Sequence, residues 1–178
     1  RNSTRPPSMS SDTNTNYFVI RALKTFGTVK QQPQIETRIN QTQKWLLELK
    51  PDTTEDRVFQ LRSLLYLDVD KSVINTKIEE LIRTQNEDGG WSQLSTMKSD
   101  TYATGTTLVA LLRSEQVETD HQAIVRGIQY LIDTQQPDGS WQVPTRAKPF
   151  QTYFETGYPH GKDQFISVTA SSWATVAL

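Results

Sequence analysis

The chain has 178 residues, 35% of them hydrophobic, enough for one domain with a sizeable core. Nineteen Lys and Arg against twenty Asp and Glu leave a net charge of −1, which excludes the electrostatic footprint of a nucleic-acid or anionic-membrane binder. No apolar run reaches the length of a membrane span, and the absence of Cys removes disulfides, thiolate nucleophiles and thiolate metal sites.

Residues 1–15 are rich in Ser, Thr, Asn and Pro and read as a polar linker or disordered tail ahead of one domain over 16–178. From there, apolar residues at helical spacing predict helices over 14–27, 34–50, 54–68, 71–86, 99–115, 120–136 and 163–178, with no clear strand. Thr53 with Asp56 makes a capping-box pattern, Asp100 heads the fifth helix, and Asp120 and Asp163 open the sixth and seventh. The fifth and seventh helices are rich in small and hydroxyl residues, with 104–110 resembling 169–175. Small residues let helices approach closely, so these two are expected in an inner layer and the fourth and sixth in an outer one.

The fourth and sixth helices belong to an internal repeat. Ile74, Ile78, Leu81, Ile82, Gln85, Asp88, Gly89 and Trp91 recur fifty positions later as Ile124, Ile128, Leu131, Ile132, Gln135, Asp138, Gly139 and Trp141. Gln85 and Gln135 are expected in the last helical turn, with Gly89 and Gly139 left-handed at the helix close. Each Trp should then fold back over the helix end, covering the Gln amide while that Gln bonds the free carbonyls.

The second copy, with Arg126, Gly127, Tyr130, Leu131, Gln135, Gly139 and Trp141, resembles the QW motif of the squalene-hopene and oxidosqualene cyclases, the repeat grouped with prenyltransferase and squalene oxidase repeats. The first copy departs from it at Lys77 and Glu80, and a third, around Trp45 and Leu46, lacks the Gly and Trp. The resemblance implies an all-α fold: a partial α/α toroid of about seven helices in antiparallel hairpins, with inner and outer layers, and a fragment of a longer protein. The wording of 150–178 is similar to the closing segment of squalene-cyclase-like domains in large multidomain bacterial proteins. That similarity favours a non-cytoplasmic location, periplasmic or cell-surface, and other modules of the same chain as partners.

Chemistry is tested against the families resembled. Their protonation-driven cyclases use Asp-x-Asp-Asp at the start of an inner helix, and the equivalent stretch here is Met97, Lys98, Ser99, Asp100. Ser99 falls where the resemblance places the proton donor, and Asp100 reads as an N-cap. The zinc site of protein prenyltransferases needs Asp, Cys and His, and this chain offers only His121 and His160, so no metal and no cofactor is expected.

The remaining candidate is the long connection over 142–162, where rings stand beside charged tips. Tyr102, Arg146, Phe150, Tyr153, Phe154, Tyr158, His160 and Asp163 are its candidate ligand-binding residues, for an apolar or carbohydrate small molecule. The competing and preferred reading makes the loop a plug whose rings are core. No nucleophile stands at a recognisable spacing from His160, which reads as a structural residue. Catalysis stays open: a binding or interaction module leads, with a terpenoid cyclase fragment or a polysaccharide-active enzyme as alternatives.

Overall fold

The computed structural model describes residues 5–149 and 152–178, and the regular elements among these are all helical. Seven α-helices follow one another: α1 Asp12–Phe26, α2 Gln32–Glu48, α3 Thr54–Tyr66, α4 Lys71–Ile82, α5 Thr101–Leu112, α6 Gln122–Thr134 and α7 Gln164–Ala177. Each expected helix is present, its ends displaced by no more than four residues. Helix α1 starts at Asp12 because the Ser11 hydroxyl accepts from Asn14 N at 3.1 Å.

Four helices form an inner row, α1, α3, α5 and α7. Helix α3 packs between α1 and α5, and the most extensive contact of the chain is α5 on α7. The outer helices lean on this row: α2 on α1 and α3, α4 on α3, and α6 on α5. The starts of the inner helices meet side by side, since Asp56 Oδ1 accepts from Ser11 Oγ at 2.7 Å and Thr13 Oγ1 at 2.9 Å, and Tyr102 donates to Glu55. Neighbouring inner helices are therefore parallel, each returning through an outer helix, and the chain is an arc of an α/α toroid built from antiparallel hairpins.

The composition of α5 fits its place. Thr101 through Leu111 are all buried, with Leu108, Ala110 and Leu111 fully so. At Gly105 an added Cβ would stand 3.0 Å from Ala174 N and the Trp173 carbonyl carbon, so α5 and α7 touch backbone to backbone there. The expected pairing of Thr104 with Thr169 is shifted by two residues in space. Trp91 N donates to Thr104 Oγ1 at 2.9 Å, and Trp141 N donates to Ser171 Oγ at 3.1 Å.

The two repeat copies do staple their helices, with the roles of Gln and Trp exchanged. Gln85 lies beyond the end of α4 and Gln135 is the C-cap of α6, so neither occupies the last turn. The indole itself takes the helix carbonyl: Trp91 Nε1 donates to Leu81 O at 3.0 Å and Trp141 Nε1 to Leu131 O at 2.8 Å. Each is one of the last carbonyls of its helix, short of an i+4 donor. The Gln amides instead brace the following turn, donating to Gly89 O at 2.8 Å and Gly139 O at 3.0 Å. The α2 end is held differently, by Gln60 of α3, whose amide donates to Leu46 O at 2.6 Å.

Gly89 and Gly139 are left-handed, φ +87° and +83°, but they close this turn and not the helix. Gly89 N donates to Asn86 O and Asn86 N to Gly90 O, and the same pair of bonds recurs at Gly139 and Gln136. This is a turn followed by a left-handed residue, which a Gly adopts without steric cost. The surroundings differ: a Cβ on Gly89 would meet Arg126 O at 2.7 Å, whereas one on Gly139 meets nothing nearer than Gln135 Nε2 at 4.0 Å. Gly139→Ala is expected to cost about 1 to 2 kcal/mol for the backbone conformation alone. Gly89→Ala should cost distinctly more, because α6 must also retreat; urea denaturation of the two variants, giving equal losses, would contradict this packing.

Candidate functional site

The parallel inner row gathers polar groups where α1, α3 and α5 begin. Glu55, on the first turn of α3, is buried. Its Oε1 accepts from Asn14 Nδ2 at 2.7 Å and its Oε2 from the Tyr102 hydroxyl at 3.1 Å. Burial pushes this carboxyl up to about 7, against the pull of the Asn14 and Tyr102 hydrogen bonds. The Tyr102 phenol is driven upward as well, first by burial and then by the Glu55 charge. Beside it Asp100 caps α5, Oδ1 accepting from Ala103 N at 2.9 Å and Oδ2 from Gln93 Nε2 at 2.9 Å. Its burial raises it too. Arg146 completes the group through Nε to Gln93 Oε1, 2.8 Å. Of the expected ligand-binding residues, Tyr102 and Arg146 are thus brought together around two carboxyl groups. Glu55 was not among the candidates from the sequence.

Asp100 also opens onto a groove of about 450 Å³ lined by Tyr130, Asp133, Gln136, Gln142 and Pro144. A related groove of about 340 Å³ lies against the first repeat copy, with Glu80, Arg83 and Thr84 in the places of Tyr130, Asp133 and Thr134. The same helix geometry therefore presents a carboxylate-lined groove in one copy and a mainly cationic one in the other.

The second half of the candidate set lies near the Trp141 turn. Ser140 Oγ donates to Asp138 Oδ1 at 2.6 Å and sits 2.7 Å from His160 Nε2. Tyr158 donates to Ser171 Oγ at 2.6 Å. A hydroxyl does therefore stand at His160, which the sequence spacing had not revealed. It is buried, and its proton is claimed by Asp138, which is the arrangement of a clasp. His160 itself has φ +83°, a left-handed conformation unusual for a residue with a side chain. Asp163 precedes α7 without capping it; its carboxylate instead accepts from Thr145 N at 2.8 Å and Gln142 Nε2 at 3.3 Å. Likewise α6 is capped by His121 Nδ1, accepting from Ala123 N, and not by Asp120.

Tyr153 and Phe154 of the connection do not serve as a plug. Val143 is the connection's buried residue, packed with Tyr102 and Ala170, while Tyr153 and Phe154 are 50% and 64% exposed. Phe150 lies outside the described residues. Gln164 gathers the loop instead, bonding Tyr153, Phe154 O and Thr156. Among the described residues no group of His, Asp and Glu could hold a metal ion, and no helix is long and apolar enough to cross a membrane.

Ser99, where the sequence resemblance implies a proton donor, has its Oγ donating to Asp88 Oδ1 and accepting from Asn86 Nδ2, each at 2.8 Å. The hydroxyl is engaged in fastening the first repeat turn to the start of α5.

The family model described as squalene-hopene cyclase C-terminal domain matches residues 53–173, more than half of the chain. A squalene–hopene cyclase from Bradyrhizobium diazoefficiens is 30% identical over 119 residues, an alignment covering 57% of this chain and 17% of that relative. The chain thus spans a minor part of the curated relative's length. With its stapled outer helices, small-residue inner helices and toroidal arc, it belongs to the squalene-hopene cyclase C-terminal domain family.

Proposed function

We propose that the chain is a squalene-cyclase-like scaffold without the proton donor, serving as a ligand-binding or interaction module within a larger bacterial protein. The observation that carries this reading is Ser99: an alcohol stands where the acid is expected, and its hydroxyl is already held by Asp88 and Asn86. Asp100, the acid that remains, is occupied as a cap. The groove beside it carries carboxylates, amides and one phenol, a lining that matches a polyhydroxylated ligand better than a hydrocarbon. Tyr102, Arg146, Tyr158, His160 and Asp163 are the residues assigned to ligand contact or to shaping the loop around it. A ligand that binds only the folded state raises the melting temperature with concentration. Neutral oligosaccharides are therefore expected to raise it in a saturable way and squalene to be left unconverted; release of a cyclised product would overturn the reading.

A second reading, acid catalysis, is favoured by one observation, the Glu55 carboxyl raised to about 7. A group of that kind holds its proton near neutrality, as a general acid must. Squalene conversion abolished by Glu55→Gln but not by Asp100→Asn would establish it.

A further inference from the structure

The inner row carries a second polar cluster, along the α3 stripe formed by Phe59, Arg62 and Tyr66. Two guanidinium groups converge there on one phenol oxygen: Arg62 Nη2 and Arg21 Nη1 lie 3.3 and 3.4 Å from Tyr17 Oη. The Arg62 Cζ stands over three rings, 4.6 Å from Tyr17, 4.8 Å from Phe59 and 5.2 Å from Trp173. Arg21 lies over Tyr17 and Tyr66, and Lys24 Nζ is 5.1 Å above Tyr66. Among the described residues no carboxylate comes within 4 Å of Arg21, Lys24 or Arg62. The Arg62 Nη1 is buried and has no hydrogen-bond partner.

Such a group is costly as it stands. Two like charges meet on a neutral oxygen, one of them half withdrawn from water, and a buried N–H is left unpaired. Ring faces recover part of that cost through cation–π attraction, but they supply no countercharge. A planar guanidinium with free N–H groups matches an oxyanion in a bidentate way, and two of them side by side match it better than a single one. The walls add the other half of the specification. Tyr17 and Phe59 are buried and Trp173 half-buried, while the Phe18 ring, packed against both Tyr17 and Phe59, is 53% exposed and offers an apolar surface beside the cations.

We propose that Arg62 and Arg21, framed by Tyr17, Phe59, Trp173 and Phe18, form a binding site for an amphipathic anion, a phosphate or carboxylate head on an apolar body. The site is separate from the Asp100 groove and goes beyond the function proposed above: it stands whether or not the scaffold turns over a hydrocarbon, and the squalene assay does not bear on it.

The test uses the full 178-residue chain, octyl phosphate below its micellar concentration, and inorganic phosphate and octanol as separate arms, read by Trp fluorescence and thermal shift. Octyl phosphate is expected to saturate and to change Trp173 emission, a signal lost in Trp173→Phe, and to bind at least about tenfold tighter than either half-molecule. Arg21→Gln, at an exposed position that leaves the fold intact, should weaken binding about tenfold or more, and weakening should grow with salt. Arg62→Met should abolish binding while melting at or above the parent temperature, because it removes a partly buried charge that has no carboxylate within 4 Å. No saturation, equal affinity in both variants, or octanol or inorganic phosphate binding as tightly as octyl phosphate would each overturn the proposal. A lower melting temperature in Arg62→Met together with unaltered binding by Arg21→Gln would assign the cluster to structure alone.

Discussion

Trp91→Ala is expected to cost about 3 to 5 kcal/mol of folding stability, the range for removing a large buried aromatic. The ring is fully buried, and its N–H is bonded to Leu81 O. It also fills the space between hairpins: a Cβ added to Gly127 of α6 would lie 2.9 Å from Trp91 Cζ3. Truncation therefore opens a cavity that two helices share, and it leaves a carbonyl at the α4 end with poorer company. Trp91→Phe separates the two effects, keeping most of the bulk and losing the hydrogen bond, about 1 kcal/mol. Trp141→Ala should fall in the same range as Trp91→Ala, since that ring is 2% exposed and bonded alike. Urea denaturation monitored by far-UV circular dichroism checks all three; a loss below about 1 kcal/mol for either Ala variant would refute the staple.

Stability should also fall as pH rises across the Glu55 titration. The carboxyl is raised from its ordinary 4.5 to about 7, principally by burial. Below pH 4.5 folded and unfolded chains both hold the proton, and the full stability is present. Between 4.5 and 7 the unfolded chain has lost a proton that the folded chain retains, so folding binds a proton and each step upward in pH disfavours it. Above 7 the loss is complete, on the order of 3 kcal/mol for this one group. Asp100, also raised, acts in the same direction. Glu55→Gln should flatten most of this slope and exceed the parent in stability at pH 8, its amide still able to face Asn14 and Tyr102. Melting curves over pH 4 to 8 that run parallel in variant and parent would contradict the burial of the charge.

The seven helices were legible because their apolar spacing is local information, and the repeat was legible because its Gln, Gly and Trp stand at fixed offsets. What those residues bond to was not. Whether an indole N–H or a Gln amide takes a helix carbonyl depends on how the turn folds back, which the one-dimensional pattern does not encode. The same limit hid Glu55. In sequence it is an acid in the first turn of a helix, an ordinary solvated position, and it becomes buried only because partners 41 and 47 positions away close over it. Arg62 was equally ordinary in the sequence, two of its three rings arriving from α1 and α7. The loop departs from its expectation for a related reason: its aromatics promised core, but Val143 reaches the gap between α5 and α7, and the rings of Tyr153 and Phe154 are left outside.

The first repeat turn is tied sideways as well as to its own helix. Gln85 Nε2 donates to Ala123 O at 2.8 Å, and Arg126 Nη2 donates to Asn86 O and Glu87 O at 2.9 and 2.7 Å. In a stacked-repeat protein the sharpness of melting depends on how strongly adjacent units are coupled. Three polar links joining consecutive outer rods weld them into a single cooperative block, so amide exchange along α4 and α6 should proceed through one shared opening event, and a pull on either rod is carried directly into the other.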